Sequence, residues 1–487
     1  MKKIMLLIII GLFSIITFSQ SKKITLADAI TIAQKQSPEY KTNLNRNQAS
    51  YWRFKNYKAR FLPQLRLDAT LPEFSNSTRR QTNDAGQDVF VNQNQLLLAA
   101  GLSLSQNVAF TGGTFSLYTN LEKVDLYGNN NITNYSVVPF SIRYRQNSLF
   151  YNRFKWDKKI EPLIYEESKR DFIESMEQIS IITCRRYFSL LKAQIQLEFS
   201  QKNVSNKDTL YQISKGRFRN GKIAENELLQ MELSLLNSKN QVTTNAIQLK
   251  RTSQEIARYL ELDSEDIELR VPDELAVFNV DVEQAIEEAQ SNRKAVIEFR
   301  RKRLQAENEL ARAKGNNKLE MSLVANLGIS QNDSDFNNLF NNYNKQQYVS
   351  LNLGIPIFDW GVSKSERKMA EANLDLTNNN IEQDKQAFEQ EIYLHVLNWS
   401  SKRDFLITSQ KAKEIAEKSY EITQKRYFLG KVTITDLNIS QEKKDQAMVR
   451  YLNSLQDFWI DYYILRQLTL YDFINNKKIE VEDILYN

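Results

Sequence analysis

The sequence predicts an α+β fold, duplicated in tandem, in which very long helices alternate with short two-faced strands. Three observations carry this. Residues 348–358 read YVSLNLGIPIF, with Val349, Leu351, Leu353, Ile355 and Ile357 alternating with Ser350, Asn352, Gly354 and Pro356. Period two marks a strand with unlike faces. Leu26-x-x-Ala29-Ile30-x-x-Ala33-Gln34 returns as Val282-x-x-Ala285-Ile286-x-x-Ala289-Gln290, an offset of 256 residues. No glycine or proline lies between Gly361 and Gly430, so residues 362–428 read as one helix of about 100 Å.

The elements follow in order. Residues 1–20 combine Lys2 and Lys3, an apolar run from Ile4 to Phe18 and small or polar residues near Ser19, the pattern of a cleaved signal peptide. The first repeat is 21–262. It opens with a helix at helical apolar spacing and continues to a strand at about 63–72, with Leu65, Leu67, Ala69 and Leu71 on one face. Polar residues from Glu73 to Asn94 read as a loop. Alternating runs at about 96–108 and 113–122 flank Thr111-Gly112-Gly113, a hairpin signal, and a further strand is expected at about 137–149. A long helix then starts after Pro162, which suits a first helical turn.

Tyr211-x-Ile213-x-x-x-Arg217-Phe218-x-x-Gly221-Lys222 returns as Tyr420-x-Ile422-x-x-x-Arg426-Tyr427-x-x-Gly430-Lys431, at an offset of 209. The first half therefore holds 47 more residues, 256 against 209, and they precede Leu149. That region contains the two runs at about 96–122, which read as an extra hairpin inserted in the first half, either in the wall or in the outward loops. Gly221 and Gly430 stand where one helix ends and another begins, supplying the positive φ of a helix C-terminus. The tips are expected at 217–229 and 426–437. Residues 263–279 read as a solvated acidic linker, without the spaced ligands of a calcium loop. The second repeat, 280–487, has strands at about 319–330 and 347–358. Its long helix carries Leu374, Ile381 and Phe388 at heptad spacing, followed by Ile392, Val396 and Trp399, as in a coiled coil.

Composition excludes several function classes. The net charge of +6 is spread over 65 basic and 59 acidic residues with no basic stripe, so nucleic acid is not an expected partner. The single cysteine, Cys184, forms no internal disulfide and reads as a small core residue. The single histidine, His395, has no second histidine with which to build a metal or nucleophile site. No catalytic, cofactor-binding or metal-binding residues are assigned, and the chain does not read as an enzyme. No helix carries the apolar run of a membrane span, so contact with a bilayer would be made by strands. Tyr348, Phe358, Trp360, Phe140, Tyr144, Phe150 and Trp156 lie near strand ends, in keeping with the aromatic girdles of an outer-membrane barrel. The aliphatic faces then meet lipid, or else form the core of a soluble sheet.

In the two-fold Leu-x-x-Ala-Ile-x-x-Ala opening, the Pro356-Ile357-Phe358-Asp359-Trp360-Gly361 exit from strand to helix, the RYFLGKVTITDL turn (426–437) and the duplication itself, the chain resembles the TolC-like outer-membrane efflux proteins over essentially its whole mature length. FKWDKKIEP (154–162) is placed at the corresponding first-half exit and departs from the Phe-Asp-x-Gly form. The resemblance implies an α+β membrane protein: a homotrimer with a long α-helical coiled-coil barrel and a transmembrane β-barrel in outer-membrane lipid. It implies the channel component of a tripartite efflux or type I secretion system, working with a periplasmic adaptor (membrane fusion) protein and an inner-membrane transporter. It also implies that Arg217, Gly221, Lys222, Arg426, Gly430, Lys431, Thr433 and Asp436 meet the adaptor or line the periplasmic entrance, with Pro356, Phe358 and Gly361 at the strand-to-helix exit. Ile439 occupies the position of a second acidic residue in the family's turn, leaving Asp436 as a single carboxylate ring, which favours cations, or as a helix N-terminal charge. A secreted periplasmic coiled-coil binding or scaffolding protein is the alternative.

Overall fold

The computed structural model describes residues 22–480, apart from 83, 85, 129–130, 264, 273–277 and 318. The expected signal peptide lies outside the described residues. In chain order the elements are β1 (Lys22–Ile24), α1 (Leu26–Gln36), α2 (Pro38–Ala59), β2 (Gln64–Thr82), β3 (Asp88–Val108), β4 (Gly113–Tyr127) and β5 (Ile132–Gln146). Then come α3 (Arg153–Arg219), α4 (Glu225–Tyr259), β6 (Ile267–Leu269), α5 (Val282–Asn292), α6 (Lys294–Asn316) and β7 (Glu320–Asp333). The chain continues with a 3-10 turn (Phe336–Phe340), β8 (Asn344–Gly354), α7 (Val362–Phe428), α8 (Ile434–Thr469), β9 (Tyr471–Asp472) and β10 (Lys477–Lys478).

The sequence repeat is visible in the element bounds. The offset of 256 superposes α1 on α5 end to end and α2 on α6 but for one residue at the C-terminal end, and 209 superposes α3 on α7, both of 67 residues. Two compact units cut across these repeats. One takes in the chain up to Arg46, Asp171–Arg293 and the chain from Phe388 on; the other takes in Asn47–Arg170 and Lys294–Ala387.

The first unit is helical. α1 starts on a capping box, Thr25 with Asp28, and its Leu26, Ala29, Ile30 and Ala33 are buried at the spacing seen in the sequence. They join a core with Phe172, Ile179, Cys184, Tyr187 and Phe188 of α3 and Leu455 and Phe458 of α8. Cys184 is a core residue, its thiol pushed well up by burial. His395 Nε2 lies 3.0 Å from the Asp461 carbonyl oxygen, a packing contact. Arg466 donates a fork of two 2.9 Å hydrogen bonds to Glu177 and a third, 2.9 Å, to Asp472. Of the expected α7 stripe, Phe388, Ile392, Val396 and Trp399 are buried in this unit, while Ile381, buried, and Leu374, half-buried, belong to the second unit.

The second unit holds one six-stranded antiparallel sheet in the order β2-β3-β4-β5-β7-β8. Cross-strand partners share a face, so the register gives two sheet faces directly. An unbroken row Leu65–Leu104–Leu117–Ile142–Leu327–Gln347 belongs to one face, and the adjacent row Gln64–Ser105–Ser116–Arg143–Asn326–Tyr348 to the other. The aliphatic face is uncovered: Leu65 is 71% and Val349 75% exposed. The polar face is crowded. A Cβ on Gly101 would stand 2.8 Å from the Thr119 carbonyl oxygen, and one on Gly328 2.8 Å from the Ser141 Cβ. Glycine at such points lets a sheet curl toward that side.

Several expectations are corrected. Residues 73–82 and 88–94 are strand rather than loop: β2 and β3 stay paired out to Thr82 and Asp88. β5 ends at Gln146, and a bulge interrupts it between Val137 and Phe140, where Pro139 has no N–H to give a ladder. β8 runs from Asn344 only to Gly354, short of Pro356. The linker is not fully solvated, since Ile267 and Leu269 of β6 are buried and β6 pairs in parallel with β1. FKWDKKIEP is helical. α3 begins at Arg153, where Asn152 Oδ1 accepts from the Lys155 amide at 3.0 Å, and Pro162 lies inside the helix. Tyr348 falls on the polar face, level with Asn326, rather than in an outward girdle.

Candidate functional site at the helical turns

The two helix-to-helix turns are built alike. α3 ends at Arg219, Gly221 has φ +65°, and the amides of Gly221 and Lys222 donate to the carbonyls of Phe218 and Arg217, each at 2.9 Å. α7 ends at Phe428, Gly430 has φ +70°, and Gly430 and Lys431 donate to Tyr427 and Arg426, again at 2.9 Å. These paired bonds, closing on a left-handed glycine, are a Schellman turn. No heavy atom stands within 4 Å of a Cβ at either glycine, so the backbone conformation alone calls for glycine.

The returning helices start differently. Thr433 caps α8 through a capping box: its hydroxyl accepts from the Asp436 amide at 3.2 Å, and the Asp436 carboxylate accepts from the Thr433 amide at 2.9 Å and its hydroxyl at 2.7 Å. Those bonds from Thr433 hold the Asp436 carboxyl below its usual range. Asp436 is thus a helix N-terminal charge in this chain, and it is exposed. At the first turn Ala224 occupies the capping position and makes no side-chain cap.

Beneath the turns, Leu210, Met231, Tyr420, Tyr427 and Leu437 form a small core that joins the two hairpins. The Arg217 guanidinium lies 5.7 Å from the Tyr427 ring, and Lys444 4.4 Å from the Tyr420 ring. Arg426, Lys431 and Thr433 are exposed, as are Gly221, Lys222 and Gly430. The fold therefore gathers Arg217, Gly221 and Lys222 with Arg426, Gly430, Lys431, Thr433 and Asp436 at one end of the helical unit. The sequence reading missed Tyr427 and Tyr420 as the rings that hold the turns together. Their recurrence opposite Phe218 and Tyr211 at the 209-residue offset was the available signal.

The strand-to-helix exit lies in the other unit, away from this group in the chain. Asp359 accepts from the amides of Gly361 and Ser363, both at 2.9 Å, and bonding to Ser363 first of all lowers its carboxyl. Gly361 has φ +88°, Phe358 packs edge-on to Trp360 at 4.4 Å, and Ile357 is 96% exposed. Pro356 lines a cavity of about 1000 Å³ with Asp359, Lys364, Arg367 and Glu371.

Comparison with known proteins fits this architecture. Residues 320–469 match the family model described as outer membrane efflux protein. No curated protein matches the sequence. Among solved structures, the chain is similar to the Campylobacter jejuni CmeC outer membrane channel, with TM-score 0.66 and 16% identity over 91% of this chain and 85% of that one. The outer membrane protein VceC from Vibrio cholerae gives 0.63 and 12% over 93% and 97%. The open state of the Neisseria gonorrhoeae MtrE outer membrane channel gives 0.59 and 13% over 93% and 90%. At such identities the likeness is one of fold. The second half of the chain thus carries a segment that matches the outer membrane efflux protein family, and the fold of the whole is similar to that of solved outer-membrane channels.

Proposed function

We propose that the chain is the outer-membrane channel of a tripartite export system, a homotrimer whose strands cross the outer membrane and whose helical unit stands in the periplasm. One observation carries the reading: a single-layer sheet divided into an uncovered aliphatic face and a polar face, with both edges unpaired. Only closed barrels cross a bilayer, because every backbone group must be paired there. One sheet of six strands leaves two open edges, so further copies are required to close it. A soluble scaffold would need to cover the aliphatic face within the chain, and it is not covered.

The helices support assembly as well. Leu229, Leu233 and Leu236 of α4, and Ile415 and Ile422 of α7, are exposed at coiled-coil spacing. Such stripes are seams awaiting neighbouring helices. The turns, with their exposed basic residues, would meet the periplasmic adaptor, and Asp436 would stand as a ring of three carboxylates at the entrance. Efflux of small molecules and type I protein export both fit this geometry. The adaptor reading is tested by pull-down of an adaptor encoded beside this chain with wild type and Gly430→Val. Binding reduced at least tenfold is the expected result; unchanged binding and transport would refute the tip as the docking point.

A further inference from the structure

From the sheet register we infer that the inserted hairpin β3–β4 is part of the membrane wall, so that copies of this chain meet β2 against β8 and three of them close an 18-stranded barrel. The inference rests on the channel reading above and adds the number of strands, the joining edges and the residues that line the wider pore.

Four observations carry it. The hairpin is integrated in the sheet: β3 pairs with β2 from Asp88 to Ser105 and with β4 from Asn94 to Val108, and β4 pairs with β5 from Thr114 to Leu126. Its face division matches that of its neighbours. Leu102, Leu104, Phe115 and Leu117 lie on the aliphatic face, while Ser103, Ser105, Ser116 and Tyr118 lie on the polar one. A plug or an external loop would have no reason to keep that division. The turn of the hairpin is also fastened at the level where strands give way to helices. Asn152 donates to the Ala109 and Phe110 carbonyls at 2.9 and 3.1 Å, Gln146 to Thr111 at 2.7 Å, and Asn107 to Arg60 at 2.9 Å.

The fourth observation is a slant. The row that passes through Leu65, the lowest aliphatic of the β2 run Leu65–Leu71, reaches β8 at Gln347, above the whole β8 run Val349–Leu353. The centre of the β2 run lies three residues up from Leu65, and that of the β8 run lies four residues down from Gln347. The aliphatic band thus shifts by seven residues across the sheet, about 24 Å at ~3.4 Å per residue, over five strand spacings of ~4.8 Å, also about 24 Å. A band that lies level in a membrane then requires strands tilted by about 45°, close to the tilt of membrane barrels. β3 and β4 sit on this slant between β2 and β5, as wall strands must.

The edges suit one another. With six alternating strands, β2 and β8 run in opposite directions, so β8 of one copy against β2 of the next continues the antiparallel ladder and closes head to tail into a ring. Barrel diameter grows about linearly with strand number, so 18 strands give a pore about 1.5 times as wide as 12 would.

Cysteine labelling in outer-membrane vesicles tests this. Ser103→Cys and Ser116→Cys are expected to react with a charged, water-soluble maleimide, and Leu102→Cys and Leu117→Cys with an apolar maleimide only; Cys184 is buried and silent. Equal reaction of all four with the charged reagent would overturn the inference. Cryo-electron microscopy of the unmodified protein avoids any folding defect. Eighteen wall strands support the inference. A hollow three-fold particle with 12 wall strands would overturn it and leave the channel reading standing, whereas a compact monomer would remove both.

Discussion

Arg466 offsets the charge of two carboxylates whose side chains are only 3% and 5% exposed, Glu177 and Asp472. Burial pushes the Glu177 carboxyl up, against the pull of its Arg466 hydrogen bonds. Arg466→Ala would leave both acids without a counter-charge, and breaking such a buried pair costs about 3–5 kcal/mol. Denaturant unfolding of the helical unit should show that loss, and a change below about 1 kcal/mol would contradict it. Asp436 yields a prediction of a different kind. Its folded pKa is depressed by bonds from Thr433. The stability it adds is therefore complete above its unfolded value, near about 3.9, and is lost as the pH falls through the lower folded value. Amide exchange at Thr433 and Asp436 should accelerate only below about pH 4, and in Asp436→Asn it should be fast at every pH. Exchange in the wild type that is flat down to pH 2 would rule out the capping role.

At the scale of elements, the left-handed φ of Gly430 makes a β-branched replacement strained, while Gly216, inside α3, has no such φ and no heavy atom within 4 Å of a Cβ. Gly430→Val should abolish adaptor capture, whereas Gly216→Ala should retain it and raise stability by up to about 1 kcal/mol. Equal behaviour of the two variants would detach adaptor binding from turn geometry. This is also the scale at which the sequence was most legible. The apolar spacing, the two offsets and, for α7, the absence of glycine and proline marked the long helices and both turns. Outside the aliphatic band the signal faded. β2 and β3 continue through SNSTRRQT, which is polar on both faces, and DVFVNQNQ, where Val89, Phe90 and Val91 are consecutive and the rest is polar, so alternation vanishes. The start of α3 was masked by Pro162, since the cap, Asn152, makes its bond through a side chain that no periodicity reveals. β1 and β6 are three residues each, and their pairing across the chain has no local signature. Of the candidate site, the glycines and the Thr433–Asp436 box could be read from spacing. The Arg217–Tyr427 contact could not, because it joins two hairpins distant in sequence.

For the whole molecule, the proposed ring of copies in a membrane would cover the exposed aliphatic sheet face, the two edges unpaired among the described residues and the exposed apolar stripes of α4 and α7. Leu233→Glu on the α4 stripe should reduce the trimer fraction in detergent at least tenfold without unfolding the chain, as measured by light scattering. A trimer that tolerates the charge would place the seam elsewhere. The most direct test of the central claim is negative-stain imaging of the protein extracted from outer membranes with detergent. The expected result is a hollow three-fold particle no shorter than the 67-residue helices, about 100 Å each. A monomer that remains soluble without detergent would contradict it, and the aliphatic face of YVSLNLGIPIF would then have to be buried in a soluble sheet.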